Sequence, residues 1–151
     1  MSFKVNIYIA NTWTSPRQKF GTAMWLVEFI KKDNTPETRQ GILTMEGTET
    51  EAVLTALTAA AGILNKECQI RVFMRNNGVL KAYKNGWIER WKENDFKSSR
   101  GVGVKHSEKW KELLETLQKH QYGFDEGLGE WELYMKTEMA KNVDFTLNEG
   151  R

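Results

Sequence analysis

The sequence predicts an α/β fold, a mixed sheet with helices on its faces, on three observations. Short β-branched and aromatic runs dominate up to Met45. The period then changes to that of a helix in an Ala/Leu-rich stretch. A short alternating run returns at Ile70–Met74 before more helical patterns follow. The order strand, strand, strand, helix, strand, helix builds an antiparallel meander and then crosses over it.

Residues 3–10, FKVNIYIA, alternate and read as a strand, and residues 11–19 read as a loop around Pro16. Ala23–Ile30 is apolar enough for a strand buried on both faces, and Arg39–Met45 returns after a turn holding Asn34 and Pro36. EAVLTALTAAAGIL is rich in good helix formers, with Asn65 as its expected C-cap. Ile70–Met74 is the fourth strand. Asn76-Asn77-Gly78 ends it, and Val79–Tyr83 begins another helix. Trp110, Leu113, Leu114 and Leu117 fall at helical spacing in an amphipathic helix over Ser107–His120, with Ser107 as N-cap. Tyr122-Gly123-Phe124 is assigned to no element, Gly127–Gly129 reads as a break, and Trp131–Lys141 as a last helix.

The chain of 151 residues is long enough for one domain with a proper core, expected over residues 1–141 with a polar tail at 142–151. It shows no repeat, linker or low-complexity segment. The net charge is only +2, so any polyanion surface must come from charge gathered on one face. Lys84–Lys105 holds six Lys/Arg against three Asp/Glu, and the remainder holds 16 against 17. A single cysteine, Cys68, forms no internal disulfide and is expected to be a small buried residue in a reducing compartment. With no signal pattern and no membrane-length apolar run, the expectation is a soluble cytoplasmic protein with no membrane partner. His106 and His120 lack partners at ligand spacing and are expected at the surface.

The stretch from Lys84 to Trp110 interleaves Trp87, Trp91, Phe96 and Trp110 with Lys84, Arg90, Lys92, Lys97, Arg100 and Lys105. Asn85-Gly86-Trp87-Ile88-Glu89-Arg90-Trp91-Lys92, then Asn94-Asp95-Phe96-Lys97, Val104-Lys105 and Trp110-Lys111-Glu112-Leu113, resembles the ribonuclease H family. There the pattern is N-G-W-x-x-x-W-K, N-G-W-K, V-K-N and L-W-x-x-L. The likeness covers nearly the whole chain. It implies a three-layer fold, a five-stranded mixed sheet flanked by helices, with this segment as a basic protrusion that holds the DNA strand of an RNA–DNA hybrid. The C-terminal part is more similar to short family versions in phages and integrative elements, so a mobile element is the expected source.

The family's chemistry is two-metal hydrolysis, in which Mg²⁺ ions about 4 Å apart are held by clustered carboxylates. In this chain the family's first-strand Asp is Ala10, its helix Glu is Val53 and its fourth-strand Asp is Arg75. The C-terminal Asp has no counterpart that can be placed. Like charges about 4 Å apart repel by about 4 kcal/mol at an effective dielectric of 20, and a dication beside Arg75 doubles that. No catalytic or metal-binding residue and no cofactor is therefore assigned.

The expected function is a catalytically silent domain that binds RNA–DNA hybrid or another duplex through Lys84, Arg90, Lys92, Lys97, Arg100 and Lys105. The rings of that stretch would build the protrusion. Thr48 stands where the family has a phosphate-pocket Thr, and equally suits a helix cap. Arg75 suits either a grip on a backbone phosphate or an ion pair with a nearby acid. One alternative is a divergent ribonuclease H that cuts the RNA strand with Mg²⁺, its site rebuilt from relocated acids such as Glu49 or Glu51. The other is a protein-interaction module whose old active-site face meets a protein partner or a second copy.

Overall fold

A computed structural model describes residues 3–15, 17–31, 33, 35–97 and 104–149, with the backbone alone for Pro36 and residues 142–149. Three antiparallel strands open the chain: β1 (Phe3–Asn11), β2 (Lys19–Ile30) and β3 (Pro36–Gly47). Helix α1 (Glu49–Gly62) crosses over to β4 (Cys68–Met74), which lies parallel to β1. Helices α2 (Gly78–Lys84), α3 (Trp87–Glu93) and α4 (Ser107–Leu117) follow, then β5 (Gln121–Glu126), parallel to β4. A 3-10 turn at Gly129–Trp131 leads into α5 (Glu132–Glu149). The sheet order is β3-β2-β1-β4-β5, as the predicted five-stranded mixed sheet requires.

Strand alternation sorts the sheet into two faces. Val5, Ile7 and Ile9 of β1, with Ala23 and Val27 of β2, join the larger core under α1 and α4. Four buried alanines of α1, at 52, 56, 60 and 61, let it approach the strands closely. On the other face Ala10, Met24 and Leu26 pack with Leu128 and with Met135 and Met139 of α5. Trp13 pins the loop after β1. Its indole N–H donates to the Gly47 carbonyl at 2.9 Å, and a Cβ on Gly21 would come within 2.7 Å of its ring. No described helix is long and apolar enough to cross a membrane.

Several expectations need correction. Tyr122–Phe124, to which the sequence assigned no element, is the middle of β5, where Tyr122 and Phe124 turn to the larger core. Gly123 and the flanking polar residues hide that alternation in the sequence. Helix α1 ends at Gly62 with Ile63 as C-cap, so Asn65 lies beyond it. His106, not Ser107, is the N-cap of α4; it has φ +62° and gives no side-chain cap bond. Helix α4 ends at Leu117 and does not reach His120. Helix α5 continues to Glu149, into the segment expected to be a polar tail at 142–151. His120 is buried, not at the surface: its Nδ1 accepts the Cys68 N–H at 3.0 Å. Cys68 is buried as expected.

Candidate functional site

The first region of interest is the end of β1 and β4. The parallel register sets Ile9 against Met74, which brings Ala10 and Arg75 to the same end of adjacent strands. Ala10 is only 5% exposed and belongs to the apolar cluster that α5 closes with Met135 and Met139. Val53 is fully buried in the core on the opposite face. The structure therefore brings together two of the three degenerate positions and sets the third inside the other core.

Arg75 is exposed. Its Nη2 lies 3.5 Å from the Asn11 carbonyl, and it makes no ion pair among the described residues. The ion pair that the sequence suggested as the plain role of Arg75 is thus not formed among them. Asn11 gives its side-chain amide to Glu49 Oε2 at 3.1 Å, so one carboxylate does stand at this rim. Thr48 caps α1: its hydroxyl accepts the Glu51 N–H, and Glu51 Oε1 accepts the Thr48 N–H. Although burial opposes it, that bond from the Thr48 N–H helps hold the Glu51 carboxyl below its usual range. Glu51 is thereby committed to the cap.

A two-metal centre needs several hard oxygen donors within reach of one another. At the positions that the resemblance assigns to such donors stand an alanine, a valine and an arginine, and no three Asp, Glu, His or Cys converge among the described residues. The donor set does not fit the ions. The C-terminal carboxylate stays unplaced among the described residues of the cluster around Ala10. Within the described side chains of α5, Met135 and Met139 face that cluster, while Glu132 is exposed and Glu138 pairs with Lys141 at 3.4 Å. Sequence reasoning missed this seal. Its signal was there in two methionines one helical turn apart.

The second region is the protrusion built by α2, α3 and the start of α4. Trp91 packs edge-on to Trp110 at 5.3 Å, and Trp87 leans on Trp91 at 6.3 Å. Trp110 is 2% exposed and Trp87 is 40% exposed, so the row of rings runs from core to solvent. Phe96 packs against the core, with Lys111 Nζ 5.6 Å from its ring centre. The rings build the protrusion, as expected. Asp95 and Phe96 have φ of +52° and +58°, a left-handed turn that costs non-glycine residues energy. The family pattern has Gly where Asp95 stands.

The cations differ in availability. Lys92 pairs with Glu89 at 3.4 Å, one helical turn away, and Lys84 with Glu126 at 3.9 Å. Arg90 donates to the Asn85 carbonyl at 3.0 Å. Lys97 and Lys105 are exposed and make no ion pair among the described residues. Arg100 lies outside the described residues. His106 is half-buried beside this surface; burial holds its imidazole below the usual value, with Glu51 opposing.

No protein-family model matches the chain. It is similar to the ribonuclease H of Thermoanaerobacter sp. (strain X514), 34% identical over 73 residues, which is 48% of this chain and 44% of that protein. The chain spans about half the length of the curated relatives it matches. Among solved structures it is similar to LC9-RNase H1, described as a type 1 RNase H with the type 2 active-site motif. The TM-score is 0.74 at 14% identity, covering 93% of this chain and 72% of that one. A foamy viral protease-reverse transcriptase in complex with RNA/DNA hybrid matches with a TM-score of 0.58 at 16% identity, over 83% of this chain and 17% of that one. With its sheet order and these likenesses in view, the chain has the RNase H-like fold and is similar in sequence to ribonucleases H over about half its length.

Proposed function

We propose that this protein is a non-cutting RNase H-like module that binds RNA–DNA hybrid, or a related duplex, through its protrusion. The observation that carries the reading is the contrast between Ala10, sealed under Met135 and Met139, and Lys97 and Lys105, exposed on an aromatic frame. The foamy viral neighbour solved with RNA/DNA hybrid supports the choice of ligand. Lys97 and Lys105 would meet phosphates directly, and Lys92 would exchange Glu89 for a phosphate oxygen. Trp87, the exposed ring of the row, would lie against the sugar–phosphate edge. Arg75, whose guanidinium donates to the Asn11 carbonyl, offers a further cation at the strand end. The work would be done in the cytoplasm, where Cys68 stays reduced.

The test is binding of a labelled RNA–DNA hybrid in EDTA over a salt series. Each phosphate contact adds about 0.9 to the steepness of log affinity against log salt. A few contacts should therefore make binding fall visibly between low and physiological salt. Absence of binding at low salt would remove this reading and favour a protein partner or a second copy. A second reading rests on Glu49, whose carboxylate reaches Asn11 beside Ala10. A single relocated acid is the starting point for a rebuilt Mg²⁺ site, and such a site would reveal itself as metal-dependent cutting of the hybrid.

A further inference from the structure

We propose that the trough between the end of α1 and strands β2 and β3 is a docking site for a short acidic peptide with apolar side chains. It lies at the Phe3 end of β1, about 20 Å along the strand from Ala10. The inference stands apart from hybrid binding.

The trough exists because α1 stops at Gly62 while β2 runs on to Ile30. The sheet beyond is left half-covered, with a cavity of about 1110 Å³. Trp25 and Phe29 form its floor, with Ile63 and Leu64 as the wall from the α1 end. Gly41 is required under Trp25, since a Cβ there would stand 2.6 Å from the indole. Phe3, 53% exposed, and Ile30, 42% exposed, edge the opening.

The charges around this apolar floor choose the occupant. Lys4 and Lys66 stand on the β1 side, Lys31 and Arg39 on the β2–β3 side, and Glu37 is the one acid among the described lining residues. Glu37 is shared by Arg39 at 3.2 Å and Lys31 at 3.8 Å, which leaves a cationic excess on both banks. A single-headed amphiphile would satisfy one bank only. An extended peptide with carboxylates at both ends and apolar side chains between them satisfies both. A nucleobase would press its polar edges against Ile63, Leu64 and Cys68, whose side chains offer it little hydrogen bonding, at a desolvation cost.

The experiment uses the full chain and a fluorescein-labelled peptide, EDLFDILED, followed by anisotropy. Saturable binding that weakens with salt is expected. KKLFKILKK, with the charges reversed, and EDSGDSSED, without the apolar side chains, should not bind. Arg39→Glu with Lys66→Glu, both solvent-facing, should weaken binding by about tenfold or more without moving the thermal melt. Failure of EDLFDILED to bind, or equal binding of EDSGDSSED, overturns the proposal. So does a single-stranded oligonucleotide that displaces the peptide at lower concentration, or a dimer in light scattering that the double variant abolishes.

Discussion

The end of β1 and the protrusion stand on one scaffold but have taken opposite courses. Of the positions that the resemblance assigns to acids, Ala10 and Arg75 meet at the strand end, where packing has closed over Ala10, while Val53 lies in the other core. On the protrusion the aromatic rings pack in a row and the described cations stay in solvent. Function on such a scaffold depends on exposed charge, while the fold depends on buried apolar area. An Ala10 folded under Met135 and Met139 contributes to the second and not to the first. The protrusion keeps both, because its row of rings is anchored in the core at Trp110 while its described lysines are exposed.

The contrast breaks most easily at the strand end. Restoring acids there, Ala10→Asp with Val53→Glu and Arg75→Asp, should destabilise the fold by about 3–5 kcal/mol, because two carboxylates would enter apolar packing. Urea unfolding measures this. A triple variant that kept wild-type stability and gained Mg²⁺ affinity by calorimetry would mean that the strand end is open after all. On the protrusion, Lys92→Glu with Lys97→Glu should lower hybrid affinity by about a hundredfold, or about 3 kcal/mol, and leave the melt unchanged. Unchanged affinity would move the contact elsewhere, with Arg75 the next residue to alter.

Smaller effects sharpen the picture of what holds the two regions in place. Burial keeps the His120 imidazole below its ordinary value of 6.5, and its Nδ1 must stay unprotonated to accept the Cys68 N–H. A folded value below the unfolded one means that the unfolded chain binds more protons as pH falls through about 6.5. Stability should therefore decline from that pH downward and level off once the folded value is passed. His106 acts in the same sense, so a comparison of melts across pH with His120→Gln isolates the His120 share. The variant should flatten the slope. Smallest of all, Asp95→Gly should add about 0.5 kcal/mol by relieving a left-handed turn, read from chemical unfolding. A loss of stability there would show that the aspartate side chain supports the turn.

The sequence showed the meander, the crossover helix and the protrusion, because each rests on local pattern: β-branched alternation, alanine and leucine at helical period, and tryptophans spaced along short helices. It concealed β5, where Gly123 and acidic neighbours interrupt a two-residue period that only Tyr122 and Phe124 carry. It concealed the cap of α4 too, since His106 in a left-handed conformation follows no capping preference. The degenerate positions could be named by motif. Their fate, one side chain in each core and one in solvent, depends on where α5 lies, and no local pattern reports that. His120 was missed for a similar reason: a lone histidine reads as surface until a backbone N–H fifty-two residues away is found at its ring.

The most direct test of the central claim is an end-labelled RNA–DNA hybrid incubated with the protein in Mg²⁺, in Mn²⁺ and in EDTA, with binding and cutting followed in the same samples. Retained binding in all three and an intact RNA strand throughout is the predicted result. Cutting that needs the metal and stops with chelator would contradict it.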